Sequence, residues 1–412
     1  MTTTLLVIAE EDPRSYGPVG ERIRHIASAG NSFFDKVVVV TLRGQIPQAH
    51  NESRSGPILY SINSRIRMPF PISVYFDVIR FLTFLTHGFM VVRRCRPRLI
   101  LTSIPPFEVG LASWILATVF RVRMIVDLMD DWEAAMKVQL SRYIPLTLMK
   151  PIFIVSDRIY SYATDVWVVG PTLAETIRKR RVSDSIVVAP NGADTSIFVP
   201  RDSSIRNVTR RRLGLPNNKI VLVYCGSGAT HYYRLDLVIK AIGALPKNFR
   251  ERFFTVCYVY SGASYLRRMK EASGLADDVI SVRSAVPREV LSEVLAACDV
   301  GLVPFDDQSY LLYAKSTKLY EYLSAGLYVL ASGPSEGELD SFLSHNENLG
   351  IFVSPSVASF ATIFQRILDF SESMFTDQQR NTRHSFIKEH FDREKVLIKA
   401  MRSSRGTKAI RD

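Results

Sequence analysis

The sequence predicts an α/β chain of two Rossmann-like domains whose parallel sheets face each other across a cleft. Three observations carry this reading. Short apolar runs alternate with helical patterns along most of the chain, the signature of strands joined by crossover helices. The alternation restarts at KIVLVYCGSGATHYY after a polar stretch, and each half opens on a strand followed by a glycine-containing loop. At 412 residues the chain is too long for one ordinary core, and its 47% hydrophobic content can fill two.

The first half begins with an apolar strand at 4–9, the loop EEDPRSYGPVGER, a helix through Ala29 and the strand VVVVT at 37–41. Ligands in such sheets bind at the carboxyl ends of strands, and Gly17 and Gly20 allow close backbone approach; a plain connecting turn is the alternative. From Arg43 to Arg98 there are nine arginines against two acids, in a chain of net charge +12. Such a balance implies an anionic partner, whether nucleic acid, an anionic membrane or a phosphorylated small molecule. The segment at 72–92 is apolar but broken by Asp77, Arg80 and His87. It reads as a core helix or a surface-lying amphipathic one, not as a membrane span.

Strand LILTS at 99–103, a helix at 109–120 and the strand of RMIVDLMDDWEAA follow. Asp127, Asp130, Asp131, Glu133 and Trp132 gather at that strand's end. Acids and an indole there suit a sugar, or form a solvated acidic turn. A helix around 156–163, a strand at 166–170 and IVVAPNGAD at 186–194, a last strand and a turn, complete the half, and Asn191 and Gly192 suit that turn.

After Pro200 comes a basic helix and loop without the interleaved aromatics of a nucleic-acid patch, so no nucleic acid is expected. The second half then runs strand 220–224, glycine loop, helix from Leu235, FFTVCYVYSG, VISVRSAV, a helix at 289–298 and DVGLVPF. Gly226 and Gly228 begin a G-x-G pattern, but His231 stands where a third glycine belongs, which disfavours a dinucleotide. The unit AKSTKLYEYLSAGLYVLAS at 314–332 packs a turn, an amphipathic helix, the stop Gly326 and a buried strand together. Its helix start offers amides and Ser316, Thr317 and Lys318 to a phosphate. Glu321, one turn further in, suits vicinal hydroxyls such as those of a ribose. An ordinary surface helix with a Lys/Glu pair is the bland reading.

Four separated cysteines read as free thiols of a reducing compartment, and no metal site is implied, since no His/Asp cluster has ligand spacing. The N-terminus lacks a basic start and a cleavage-like site, so a cytoplasmic chain is expected.

Taken together, the motifs resemble retaining glycosyltransferases of the two-domain GT-B type, family 4, in the branch that builds surface polysaccharides and glycan chains. The resemblance rests on the order of a GP-x-x-x-R-like start at Gly17 to Arg22, IVDLMDDWE, PNGADTSIF, GSGATHYY, AVPREVLSEVLAACDVGLVPF and STKLYEYLSAG. It implies an acceptor-side domain at 1–190, a nucleotide-sugar domain at 191–390, and a helix end and polar tail at 391–412. It also implies a nucleotide-diphosphate sugar as donor, no other cofactor, and a glycan or polyprenyl-linked acceptor in peripheral contact with an anionic membrane at the inner face of the cell. Glu321 matches the second glutamate of the family's Glu-x7-Glu signature, which implies ribose contact. Ser316 to Leu319, including Thr317, match the diphosphate segment, Gly17 the loop near it, and Val286 and Pro287 the nucleobase loop. Asp130 matches the aspartate near the transferred sugar. The mechanism so implied gives the leaving diphosphate to Lys318 and Arg234, with no protein nucleophile and retention by front-face attack. Four positions depart from the pattern: Tyr313 replaces the first glutamate, Ser227 the phosphate-binding arginine, Tyr232 lies near the expected lysine, and Met129 stands for a histidine. They keep open a catalytically silent GT-B-like binding subunit; a sugar-nucleotide epimerase lacks its acid and histidine set.

Overall fold

A computed structural model describes residues 2–15, 17–42, 58–62, 72–141, 143–228 and 232–411. The start of the basic 65–98 segment and residues 229–231 of the glycine loop lie outside the described residues. The chain divides into two compact units, residues 1–190 with 393–412, and residues 191–392.

Unit 1 holds β1 (Thr4–Ala9), β2 (Lys36–Leu42), β3 (Ile58–Ile62), β4 (Leu99–Ile104), β5 (Arg123–Leu128), β6 (Asp165–Val168) and β7 (Ile186–Val188) in the order β3-β2-β1-β4-β5-β6-β7. Every pairing is parallel. β1 and β4 are buried along their whole length, which is why they read as continuous apolar runs and not as alternations. The strand order reverses between β1 and β4, so the carboxyl ends of those two strands flank the switch point of this sheet.

Unit 2 holds β8 (Ile220–Ser227), β9 (Phe253–Ser261), β10 (Ile280–Ser284), β11 (Val300–Pro304), β12 (Tyr328–Ser332) and β13 (Gly350–Val353), all parallel, in the order β10-β9-β8-β11-β12-β13. Its switch point lies between β8 and β11. The loop after β8 and the helix that follows β11, Thr317–Ser324, therefore meet at one crevice.

Within each unit, buried arginines tie distant segments together. In unit 1, Arg22 donates through Nε and one terminal nitrogen to Asp127 at 2.8 and 2.7 Å and also reaches the carbonyl of Ala189. In unit 2, Arg380 donates to the carbonyls of Ala296 and Cys298, closing the end of helix Arg288–Ala297. Burial pushes the Arg380 guanidinium down to about 9.

Three features differ from the sequence reading. β3 is an additional edge strand, too short and mixed to register as an apolar run. The helix read around 156–163 begins at Leu146 and runs through Pro151. The helix end and polar tail expected at 391–412 are helical nearly throughout, as Arg393–Ser403 and Arg405–Arg411, and belong to unit 1. Their polar composition masks one buried face, carried by Leu397, Ala400 and Met401.

Candidate functional site

The crevice of unit 2 is built from β8, the loop after it and the helix Thr317–Ser324. Gly226, the penultimate residue of β8, has φ +148°, a conformation glycine alone adopts without strain. A Cβ there would lie 2.7 Å from Cε of Lys318 and 3.0 Å from its Nζ. The Lys318 side chain thus lies directly over the glycine. Its ammonium donates to the hydroxyl of Tyr233 at 2.8 Å and sits 4.2 Å from that ring's centroid and 5.7 Å from that of Tyr224.

Ser316 caps the helix, its hydroxyl accepting from the amide of Lys318 at 3.3 Å and lying 3.4 Å from the Tyr233 hydroxyl. The amide of Leu319 donates to the carbonyl of Ser316 at 3.0 Å, and the Leu319 side chain is in the core. Two of the amides expected to hold a diphosphate are therefore engaged within the helix start. The ammonium of Lys318 and the hydroxyl of Ser316 lie together beside the Tyr233 hydroxyl. Tyr313 lies half-buried ahead of them.

Glu321 takes a different direction from Lys318. One of its carboxylate oxygens is 3.9 Å from a terminal nitrogen of Arg288, whose other terminal nitrogen is 3.9 Å from Asp194. Arg288 is buried and lies over the ring of Phe198 at 4.9 Å. It follows the exposed Pro287, which starts its helix, and the half-buried Val286, which packs on the core. The loop expected at a nucleobase, the glutamate expected at a ribose and this arginine are thus neighbours in unit 2.

Two expected participants have other duties. Arg234 donates to Asp236 at 3.0 and 3.2 Å and to Asp306 at 3.0 Å, and these bonds, the one to Asp236 first, raise its pKa. Its charge is matched by two carboxylates, which removes it as the compensating phosphate cation. The amide of Gly228 donates to the carbonyl of Ser261, and a Cβ there would meet Leu266 at 2.7 Å, so this glycine serves close packing. Ser227 is buried with its hydroxyl 2.8 Å from that of Ser261. The position of the expected arginine is an internal tie between β8 and β9.

In unit 1 the sugar-binding set read at the end of β5 comes apart. Asp127 is the buried partner of Arg22. Asp131 caps the helix Trp132–Leu140 by accepting from the amide of Ala134 at 3.0 Å. Glu133 is buried and paired with Arg180, while Trp132 donates to the hydroxyl of Tyr160 at 3.0 Å. Four of the five groups hold the fold, because capping and pairing satisfy them locally. Asp130 remains on the exposed side. Its carboxyl is pushed up to about 7, first by the protein packed around it and then by the charge of Asp131. Water still reaches its outer edge and screens part of that push, so the upward direction is what bears on its chemistry.

Gly17 caps the helix Pro18–Gly30 without a side chain of its own. A Cβ there would meet Glu11 Oε2 at 2.6 Å, and the same oxygen accepts from the amide of Gly20 at 3.0 Å and the hydroxyl of Ser15 at 3.2 Å. The loop does approach an anion closely, and that anion is the chain's own Glu11. Tyr233, Arg288 and Glu11 were not singled out from the sequence. The Tyr232–Tyr233 pair in a glycine loop was the one visible sign, since two aromatics there have no role in an ordinary turn.

No protein-family model matches the chain. A stretch of 142 aligned residues is 31% identical to the D-inositol 3-phosphate glycosyltransferase of Stackebrandtia nassauensis, covering 32% of this chain and 30% of that protein. A longer stretch of 200 is 26% identical to the protein of the same name from Thermomonospora curvata, covering 45% and 44%. The match thus spans less than half the length of these curated relatives. By fold, 99% of the chain superposes on all of sucrose-phosphate synthase from Thermosynechococcus elongatus, with a TM-score of 0.75 at 17% identity. Anabaena HepE in complex with UDP gives a TM-score of 0.64 at 14% identity, covering 97% and 99%. The two parallel α/β units are those of the GT-B fold.

Proposed function

We propose that the chain is a glycosyltransferase, moving a sugar from a nucleotide-diphosphate sugar to a glycan or lipid-linked glycan acceptor with retention at the anomeric carbon. The observation that carries this is Lys318. A lysine ammonium held over a glycine loop at the switch point of a parallel sheet, one turn from a carboxylate, fits a diphosphate beside a ribose. The names of the sequence relatives and the UDP bound to HepE support the same reading.

Departure of the nucleotide diphosphate builds negative charge on the β-phosphate, and a fixed cation lowers the barrier only as far as it binds that charge more tightly in the transition state. Lys318 has this part, with Ser316 and Thr317 as hydroxyl donors. Glu321 accepts from the ribose hydroxyls, Val286 and Pro287 border the base, and Gly226 lets the phosphates approach the backbone. In unit 1, Asp130 is the group near the acceptor, and its carboxyl, shifted upward, is a proton carrier there. The acceptor side includes contact with an anionic lipid surface through the helix Ile72–Cys95.

The test is a thermal-shift screen of nucleoside diphosphates followed by the variant Glu321→Ala. A diphosphate that stabilises the wild type is expected to lose roughly tenfold or more in affinity in the variant, the worth of hydrogen bonds to a charged acceptor. An unchanged shift removes the ribose assignment. A second reading, a nucleotide-binding GT-B subunit without turnover, is favoured by the neutralised Arg234 together with Tyr313 and the buried Ser227. Binding without hydrolysis or transfer of any nucleotide sugar would decide for it.

A further inference from the structure

We propose that Tyr233 is a positioning residue that fixes the Lys318 ammonium at the mouth of the glycine loop, so that the cation facing the diphosphate comes from the helix and not from the loop. The inference rests on the nucleotide-sugar reading above.

The argument begins with how the tyrosine is held. Its ring stacks on Phe305 with centroids 5.0 Å apart and planes at 13°, and meets Tyr232 at 4.8 Å and Tyr224 at 5.7 Å. The backbone on both sides is tied to the end of β11: Arg234 donates to the carbonyl of Pro304 at 2.6 Å, and Asp306 donates to that of Tyr232 at 2.8 Å. Tyr224, the second ring near the ammonium, is itself locked by its hydroxyl donating to the carbonyl of Ser227 at 2.6 Å. Two rigid aromatics therefore define where a flexible four-carbon side chain ends.

The nature of the holding groups matters more than their number. Arg234, one residue on, is clamped by two carboxylates and its charge is matched. Among the described residues, the groups in contact with the Lys318 ammonium are a hydroxyl and two ring faces, all neutral. A cation–π site orients an ammonium while leaving its charge uncancelled. With one of its three donors on Tyr233, the ammonium keeps two for an anion's oxygens. Ser227 and Tyr233 flank the loop with hydroxyls, and Gly226 clears the space that Lys318 fills. The cation over Gly226 is supplied by the neighbouring helix.

The experiment is a double-mutant cycle read by calorimetry, with UDP, GDP and ADP titrated in turn and the matching nucleosides as controls. Tyr233→Phe keeps the stacked ring and removes the hydroxyl. It is expected to weaken diphosphate binding roughly three- to tenfold, to leave nucleoside binding unchanged, and to have no further effect in a Lys318→Met background. If Lys318→Met is unstable, Lys318→Gln takes its place. Equal affinities for the wild type and Tyr233→Phe overturn the proposal, as does the same loss in both backgrounds, since Tyr233 would then act without Lys318. If the folded wild type binds none of the three diphosphates, it is the nucleotide-sugar reading that fails. The positioning is then decided by the proton–nitrogen NMR signal of the Lys318 ammonium: a resolved signal lost in Tyr233→Phe supports it, and a signal unaffected by the change overturns it.

Discussion

At the scale of single residues, the end of β5 shows how one cluster of acids divides its labour. Asp127 has two guanidinium donors, Asp131 a helix amide, and Glu133 an arginine. Asp130 has a like-charged neighbour and an upward-shifted carboxyl. The shift has a definite sign for stability. In the unfolded chain the group ionises at its ordinary carboxylate value, while the folded protein holds the proton to higher pH. Across that window the unfolded state binds fewer protons, so stability falls as pH rises, and it is unaffected below the ordinary value. Asp130→Asn is therefore expected to raise the melting temperature relative to the wild type at pH 8 and to leave it unchanged at pH 3. Thermal melts across this range check the difference, and parallel curves for the two proteins would show that Asp130 feels no such push.

At the scale of elements, the helix Ile72–Cys95 carries the clearest functional prediction. Val78, Ile79, Leu82, Phe89 and Met90 are exposed along it, spaced so that they recur on one side about every turn. Arg93, Arg94, Arg96 and Arg98 follow at its C-terminal end and are also exposed. Phe84 and Gly88 face the other way, Phe84 fully buried and Gly88 pressed against Leu116. Among the described residues no helix is long and apolar enough to cross a membrane. An apolar stripe ending in a cationic cluster instead suits lying on an anionic lipid surface, at about 1 kcal/mol per basic residue near it. The chain is expected to float with vesicles containing anionic lipid at low salt, and Leu82→Glu/Met90→Glu to sink. Equal recovery with neutral vesicles would refute the electrostatic part. The sequence showed this helix and left its two faces undecided, because Val, Leu and Phe read alike whether they are covered or not. The same limit explains the rest of what was legible. Buried strands such as β1 and β4 were visible as apolar runs, and Gly326 and Ser316 as helix boundaries. Side-chain partners drawn from distant segments were not: Arg22 finds Asp127, Arg234 finds Asp306 and Lys318 finds Tyr233 only once the strands are in order.

At the scale of the whole molecule, the chain enters unit 2 after Pro190 and returns to unit 1 after Asp392, so unit 1 is completed by residues 393–412. The returning helices are built into its core. Leu397, Ala400 and Met401 pack with Leu5, Val7, Leu99 and Trp167, and Arg393 pairs with the buried Glu21 at 3.4 Å. Trp167 donates to the hydroxyl of Ser404 at 2.7 Å, and the buried carboxylate of Asp165 accepts from the amides of Arg405 and Gly406 at 3.0 and 2.8 Å. Removing residues 393–412 exposes the apolar side chains, each worth about 1.5–3 kcal/mol when buried. It also deprives an indole, a carboxylate and an acid–base pair of partners, at about 1–3 kcal/mol for each group left buried. The loss is comparable to the whole stability of a domain, about 5–15 kcal/mol. A chain ending at residue 392 is therefore expected to lose amide-exchange protection throughout β1, β4 and β6 while β8, β9 and β11 keep theirs. Supplying residues 393–412 as a separate peptide is expected to restore part of the protection in β1 and β6. Unchanged protection of β1 in the shortened chain would mean that unit 1 is stable without its returning helices, and that their packing is an addition to a finished core and not a part of it.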